Sequence, residues 1–185
     1  MTLLLSDNGL RALLNFRLDV INHFLNKNYN VVLVYPKSTS EPELLKKIPE
    51  QCKVYEVDMI PTGNNPLKDF SYFRQLKRIF KTEKPDIVFN YTIKPNIYGA
   101  FAAKLLKIKV IDMVAGLGYV FTGNGIKNII ARTLYKTALR MSDRVIVLNT
   151  YNYDLLLENK FVQKEQLILF KGGEGVNLQQ FCYGN

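Results

Sequence analysis

Lys94 stands directly before Pro95, and proline sits best as the first residue of a helix, where its missing N–H costs nothing. A lysine at a helix start adds a point charge to the partial positive charge of the free N–H groups, a combination that suits a phosphate. Tyr91, Thr92 and Asn96 surround it with hydrogen-bonding groups. Further along, Gly116, Gly118, Gly123 and Gly125 make a flexible loop that also carries Tyr119, and Asn149 closes a later apolar run. The carboxylates offer less. Asp112 lies inside an apolar run, Asp143 precedes one and Glu174 lies in the tail, so no pair is spaced for glycosidase-type chemistry. His23 reads as an ordinary helix residue beside Phe24. Cys52 and Cys182 lie far apart and read as reduced thiols of a cytoplasmic protein. No metal and no cofactor is expected. After the first strand the chain runs SDNGLRALLNF, with one glycine where a dinucleotide fingerprint needs three. There is no Walker pattern and no Gly-x-Ser-x-Gly elbow.

The elements that would position these residues alternate along the chain. Apolar runs predict strands over 2–5, 30–35, 53–57, 86–90, 109–114, 144–148 and 167–170. Helical periodicity predicts helices over 13–26, 41–48, 67–82, from Pro95 to about Leu106, 126–141 and 151–159. Lys94, before a proline, is expected to be the last loop residue. Strand–helix alternation argues an α/β, doubly wound, Rossmann-like parallel sheet with helices on both faces. Ligands of such sheets bind beyond the strand carboxyl ends, where Lys94, the glycine loop and Asn149 all fall.

Composition narrows the partners. The formal net charge is +9, which favours an anionic partner without naming it. No zinc-finger spacing, helix-turn-helix pair or aromatic RNA-binding signature appears, so nucleic acid is not expected. Arg74, Lys77, Arg78 and Lys81 form one basic helical stripe, and Arg132, Lys136 and Arg140 a second. Either is read as a solvated face or, more sharply, as a contact with an anionic membrane surface. No apolar run approaches the ~18 residues of a membrane helix. The start, MTLLLSDNG, lacks a basic leader, so no secretory signal is expected.

Four stretches, KPDIVFNYTIKPNIYGAFAAKLL, VAGLGYVF, SDRVIVLN and NFRLDVINHFL, follow one another in an order that resembles the acceptor-side half of a bacterial glycosyltransferase. The type is the two-domain GT-B architecture, family four, retaining, with members that build capsule, O-antigen or related glycans on a lipid carrier. The resemblance covers nearly the whole chain. It implies transfer from a nucleotide sugar to a lipid-diphosphate-linked glycan at the inner face of the cell membrane. It also implies that Asn8 and Gly9, at the first glycine turn, border the interdomain cleft. Gly116, Gly118 and Tyr119 match the family's glycine turn after the next strand, where Ala115 replaces a histidine common in the wider family. No catalytic base can therefore be assigned, and the resemblance implies that the leaving phosphate takes the acceptor's proton.

GVNLQQF near the end resembles the family's interdomain linker, with Asn177 where aspartate is usual and Phe181 in place. The expected layout is a Rossmann-like domain over 1–171 and a glycine-rich linker over 172–185. On this layout the donor domain, which would hold most of the nucleotide sugar, is expected to lie outside the chain. The chain alone is expected to be inactive, with Tyr91, Lys94, Leu117 and Tyr119 exposed on the cleft side. The alternatives are a non-catalytic subunit that binds the lipid-linked acceptor for a separate catalytic chain, or a Rossmann-like module with an unrelated small ligand.

Overall fold

The computed structural model describes residues 1–63, 65–117 and 125–171. Seven strands, β1 (Thr2–Ser6), β2 (Asn30–Pro36), β3 (Lys53–Val57), β4 (Ile87–Tyr91), β5 (Lys109–Val114), β6 (Arg144–Val147) and β7 (Leu167–Leu169), form one sheet in the order β3-β2-β1-β4-β5-β6-β7. Every neighbouring pair is parallel. Between them lie α1 (Leu10–Asn26), α2 (Pro42–Leu45), α3 (Pro66–Glu83), a π-helical turn (Pro95–Gly99) running into α4 (Ala100–Leu105), α5 (Ile126–Met141) and α6 (Thr150–Glu158). The sheet is the expected Rossmann-like one. Its order reverses between β1 and β4, which creates a crevice at their carboxyl ends.

Alternate residues of each strand serve two cores. Leu4, Val32, Val34, Val88, Val110, Val145 and Val147 pack with α3, the π-turn, α4 and α5. Leu3, Leu5, Val31 and Leu33 pack with Leu10, Leu13, Leu14 and Ile21 of α1 and Leu44 of α2. Burial on both faces is why these strands read as unbroken apolar runs.

Several boundaries moved for identifiable reasons. Helix α1 begins at Leu10 rather than Leu13 because Gly9 is extended and the Leu10 N–H donates to Thr39 Oγ1 at 3.1 Å, a cap from a distant loop. Helix α2 is shorter than its polar run suggested. Helix α3 starts at Pro66, with Asn65 Oδ1 accepting from the Lys68 N–H, and stops at Lys84, whose φ of 46° breaks the helix before Pro85. Lys94 is not the last loop residue. It is helical (φ −69°, ψ −47°), and the turn starts earlier, with the Asn96 N–H donating to the Thr92 carbonyl at 3.0 Å. Thr92 makes the corner with φ 71°, a left-handed conformation that costs a β-branched residue energy.

The π-turn lies close against β4 at one glycine. A Cβ on Gly99 would stand 2.3 Å from Asn90 Oδ1 and 2.7 Å from its Cγ, while Asn90 is fully buried and donates from Nδ2 to Asp112 Oδ1 at 2.8 Å. Gly99→Ala should therefore lose about 1–3 kcal/mol of stability, the usual cost of overpacking, read by urea unfolding. A loss below about 0.5 kcal/mol, the scale of a bland surface change, would mean that Asn90 moves aside freely.

The helical surfaces bear on the two basic stripes. On α5 the buried residues include Tyr135, Ala138 and Leu139, whereas Ile130 is 56% exposed. The second basic stripe is largely occupied. Lys136 Nζ donates to the Asn159 carbonyl at 2.9 Å and Arg140 Nε to the Lys160 carbonyl at 3.1 Å, so both satisfy the end of α6. Arg74, Lys77, Arg78 and Lys81 of α3 are exposed as expected. Among the described residues no helix is long and apolar enough to cross a membrane.

Candidate functional site

The crevice at the switch point holds a cleft of about 370 Å³. Asn8 enters from the turn after β1, Pro61, Thr62 and Gly63 from the loop after β3, Thr92, Ile93 and Lys94 from the turn after β4, and Met113, Ala115 and Gly116 from the end of β5. Tyr135 of α5 closes the side. Parallel strands place the segments that follow β1, β3, β4 and β5 at the same edge.

Four of the sequence candidates, Asn8, Thr92, Lys94 and Gly116, line this cleft. Asn96 lies beneath it, fully buried, with Nδ2 donating to the Met113 carbonyl at 3.0 Å and to the Tyr135 hydroxyl at 3.3 Å. It ties the π-turn to two walls of the cleft. Gly9 is the extended residue that starts α1 beside Asn8. Asn149 lies outside the lining and caps α6, its Oδ1 accepting from the Asn152 N–H at 2.8 Å. Gly118 and Tyr119 fall outside the described residues, as do Cys182 and the linker.

Three expected exposures are corrected. Tyr91 is 2% exposed. It is the last residue of β4, not a loop residue, so strand alternation turns it to the α1 side, stacked on Phe89 at 4.8 Å with the Arg17 guanidinium 4.1 Å above its ring. Leu117 is buried in the core beside the π-turn. Lys94 is 7% exposed, and its Nζ donates to Asp69 Oδ1 of α3 at 2.7 Å, both side chains being almost wholly buried. Lys94 thus borders the cleft as half of an ion pair. An ammonium has three N–H donors, so the bond to Asp69 uses only one.

Below the cleft a polar chain crosses the core. Asp112 of β5 accepts from Asn90 and from the Ser142 hydroxyl, and Ser142 Oγ also lies 3.1 Å from the Ala138 carbonyl. Burial pushes the Asp112 carboxyl up to about 7, against the pull of the hydrogen bonds from Ser142 and Asn90. Burial likewise raises the Tyr135 hydroxyl, with Asn96 opposing. Asp143, the other carboxylate of this region, holds the Val110 N–H at 2.9 Å. His23 is exposed at the far end of α1, edge-on to Phe24. Cys52 is half-buried, its thiol pushed up to about 11 by burial, and so stays protonated. Among the described residues no cluster of three His, Cys, Asp or Glu could hold a metal ion.

Met113, Tyr135, Asp69 and the place of the β3–α3 loop in the cleft wall escaped the sequence reading. Gly63, with φ +83°, marked that loop as a sharp turn after a strand carboxyl end. Nothing local marked Asp69, which stands 25 residues from its partner.

Comparison with known proteins agrees with this geometry. UDP-GlcNAc 2-epimerase from Methanocaldococcus jannaschii superposes with a TM-score of 0.66 at 16% identity, over 91% of this chain and 45% of that one. MurG from Acinetobacter baumannii gives 0.60 at 17% identity, over 93% and 45%. MnaA from S. aureus, solved with UDP, gives 0.69 at 15% identity, over 100% and 48%. At these identities the likeness is one of fold, and the chain spans less than half the length of each. No curated protein sequence matches it. Residues 3–149 match the family described as glycosyl transferase 4-like, and the chain belongs to that family.

Proposed function

We propose that this chain is the acceptor-binding half of a glycosyltransferase that passes a sugar from a nucleotide sugar to a lipid-diphosphate-linked glycan in surface-polysaccharide assembly. The observation that carries this reading is the cleft at the β1/β4 switch point, lined by residues of the family-matching segment. The two remaining donors of Lys94, which borders the cleft, supply hydrogen bonds for a phosphate. Asn8, Thr62 and Thr92 supply polar contacts for a sugar. Among the described lining residues there is no carboxylate and no imidazole, so no general base is assigned among them. The proton of the attacking hydroxyl then goes to the leaving phosphate. The donor's diphosphate needs cationic or N–H groups around it as charge develops, and these come from a second domain, which leaves this chain inactive alone. The UDP-GlcNAc 2-epimerase from M. jannaschii and the S. aureus protein solved with UDP support a nucleotide-sugar partner for the completed enzyme.

Calorimetry tests the assignment. A soluble lipid-diphosphate mimic should bind this chain, and nucleotide sugars should bind weakly at best. The reverse order of affinities would favour a donor-side or epimerase role instead. The exposed α3 cations are the contact with the inner membrane face in this reading, each contributing about 1 kcal/mol that fades with salt. Flotation with anionic vesicles but not with neutral ones is the expected result, and equal recovery with both would remove the electrostatic contact.

A further inference from the structure

A second cavity, of about 520 Å³, runs along the outer helical face between α3, α4 and α5. Pro66, Phe70, Phe73, Phe101, Leu105 and Leu134 make most of its wall, and Lys104 is the one charged residue among those lining it. Its rims are unusually apolar for a surface. Phe70 is 59% exposed and Leu105 62%, with Leu67 beside them at 84%. Contiguous apolar surface of this kind marks a binding site.

Groove and cleft share a wall. Gly63 borders the cleft and Pro66, three residues later, begins the groove, so lining residues of the two lie within about 10 Å by chain length alone. Leu134 lines the groove and the next residue, Tyr135, lines the cleft. Phe70 follows Asp69, whose carboxylate holds Lys94 of the cleft. An amphiphile can therefore lie with its head in one and its chain in the other.

We propose that the groove between α3, α4 and α5 binds the hydrocarbon chain of an amphiphile whose anionic head occupies the cleft; this rests on the acceptor reading above and names where the acceptor's lipid goes. Charge complementarity favours an anionic amphiphile over an apolar protein segment. Lys94 borders the cleft with two donors beyond its bond to Asp69, and Lys104 stands at the rim of the groove. Size agrees. A three-turn helix 10 Å across fills about 1,200 Å³, more than twice the groove, whereas an extended hydrocarbon chain fits along it.

The test uses three probes on the 185-residue chain, each below its micelle concentration: dimethylallyl diphosphate, farnesyl diphosphate and farnesol. Each buried methylene is worth about fourfold in affinity (~0.8 kcal/mol). Farnesyl diphosphate should therefore bind at least tenfold tighter than dimethylallyl diphosphate, and farnesol should compete with it. Phe70→Gln with Leu105→Gln, both at exposed positions, should abolish the gain from the long chain and leave dimethylallyl diphosphate unchanged. Equal affinity for the two diphosphates, or a gain that survives in the double variant, overturns the groove while leaving the cleft assignment standing. Farnesol binding that the double variant removes, with neither diphosphate bound, keeps the groove and refutes the head site. Sedimentation should show a monomer. A dimer that the double variant dissociates would make this face a self-association surface and overturn the proposal.

Discussion

Lys94→Met should lower folding stability by about 3–5 kcal/mol, the cost of breaking a buried ion pair by removing one partner. The size follows from what remains. Asp69 is 6% exposed, and without the ammonium 2.7 Å away its carboxylate would be buried without a counter-charge. The effect belongs to the orphan and not to the net worth of the pair. Lys94→Met combined with Asp69→Leu should therefore recover most of the loss, because apolar replacement of a whole buried pair is often neutral or stabilising. Urea unfolding of the wild type, both single variants and the double variant closes the cycle. A single-variant loss under about 1 kcal/mol, the scale of an exposed pair, would show that water reaches the pair. The result also bears on binding experiments, since loss of phosphate affinity in Lys94→Met counts only in protein shown to be folded.

The second large effect is a dependence of stability on pH. An unfolded aspartate titrates near 3.8, whereas buried Asp112 titrates at about 7. Below about pH 4 both states hold the proton, and the contribution is fully present. Between there and about pH 7 the folded state holds a proton that the unfolded state has released, so stability falls as pH rises through this window. The loss is on the order of 4 kcal/mol, from about 1.4 kcal/mol per unit. The surroundings accept either form. A charged Asp112 accepts a hydrogen bond from the Ser142 hydroxyl, whereas a protonated one donates to Ser142 Oγ, which then turns to the Ala138 carbonyl. Asn can make the same bonds, so Asp112→Asn should fold and lack this decline. The stability difference between variant and wild type should grow from pH 4 to 7. Parallel curves would place the Asp112 titration outside that window.

Much of the fold was legible because the signals were local. Both faces of the sheet are covered around β1 and β2, so those strands are plain apolar runs, and Asn65-Pro66 and Lys84-Pro85 bracket α3 with a cap and a stop. The region of the site was legible for a topological reason: whatever follows a parallel strand lands on one edge. What the side chains do there was less so. The Lys94–Asp69 pair, the Thr39 cap on Leu10 and the Lys136 bond to the end of α6 all join residues more than twenty apart, and no spacing rule reaches them. Tyr91 is a different lesson. Strand pairing extends to it, and period-two alternation from Phe89 sends its ring away from the cleft, a step hidden by ending the strand at Asn90.

The central claim is that this chain supplies one wall of a two-walled transferase. Holding donor and acceptor in reacting contact provides a large part of the rate of such a reaction, and one wall does not do it. Radiolabelled sugar transfer to a lipid-diphosphate-linked acceptor, measured with the 185-residue chain alone and again with a matching donor domain added in trans or fused after Phe181, tests this most directly. The account predicts no transfer from the chain alone and transfer when the donor domain is supplied. Robust transfer by the chain alone would contradict it.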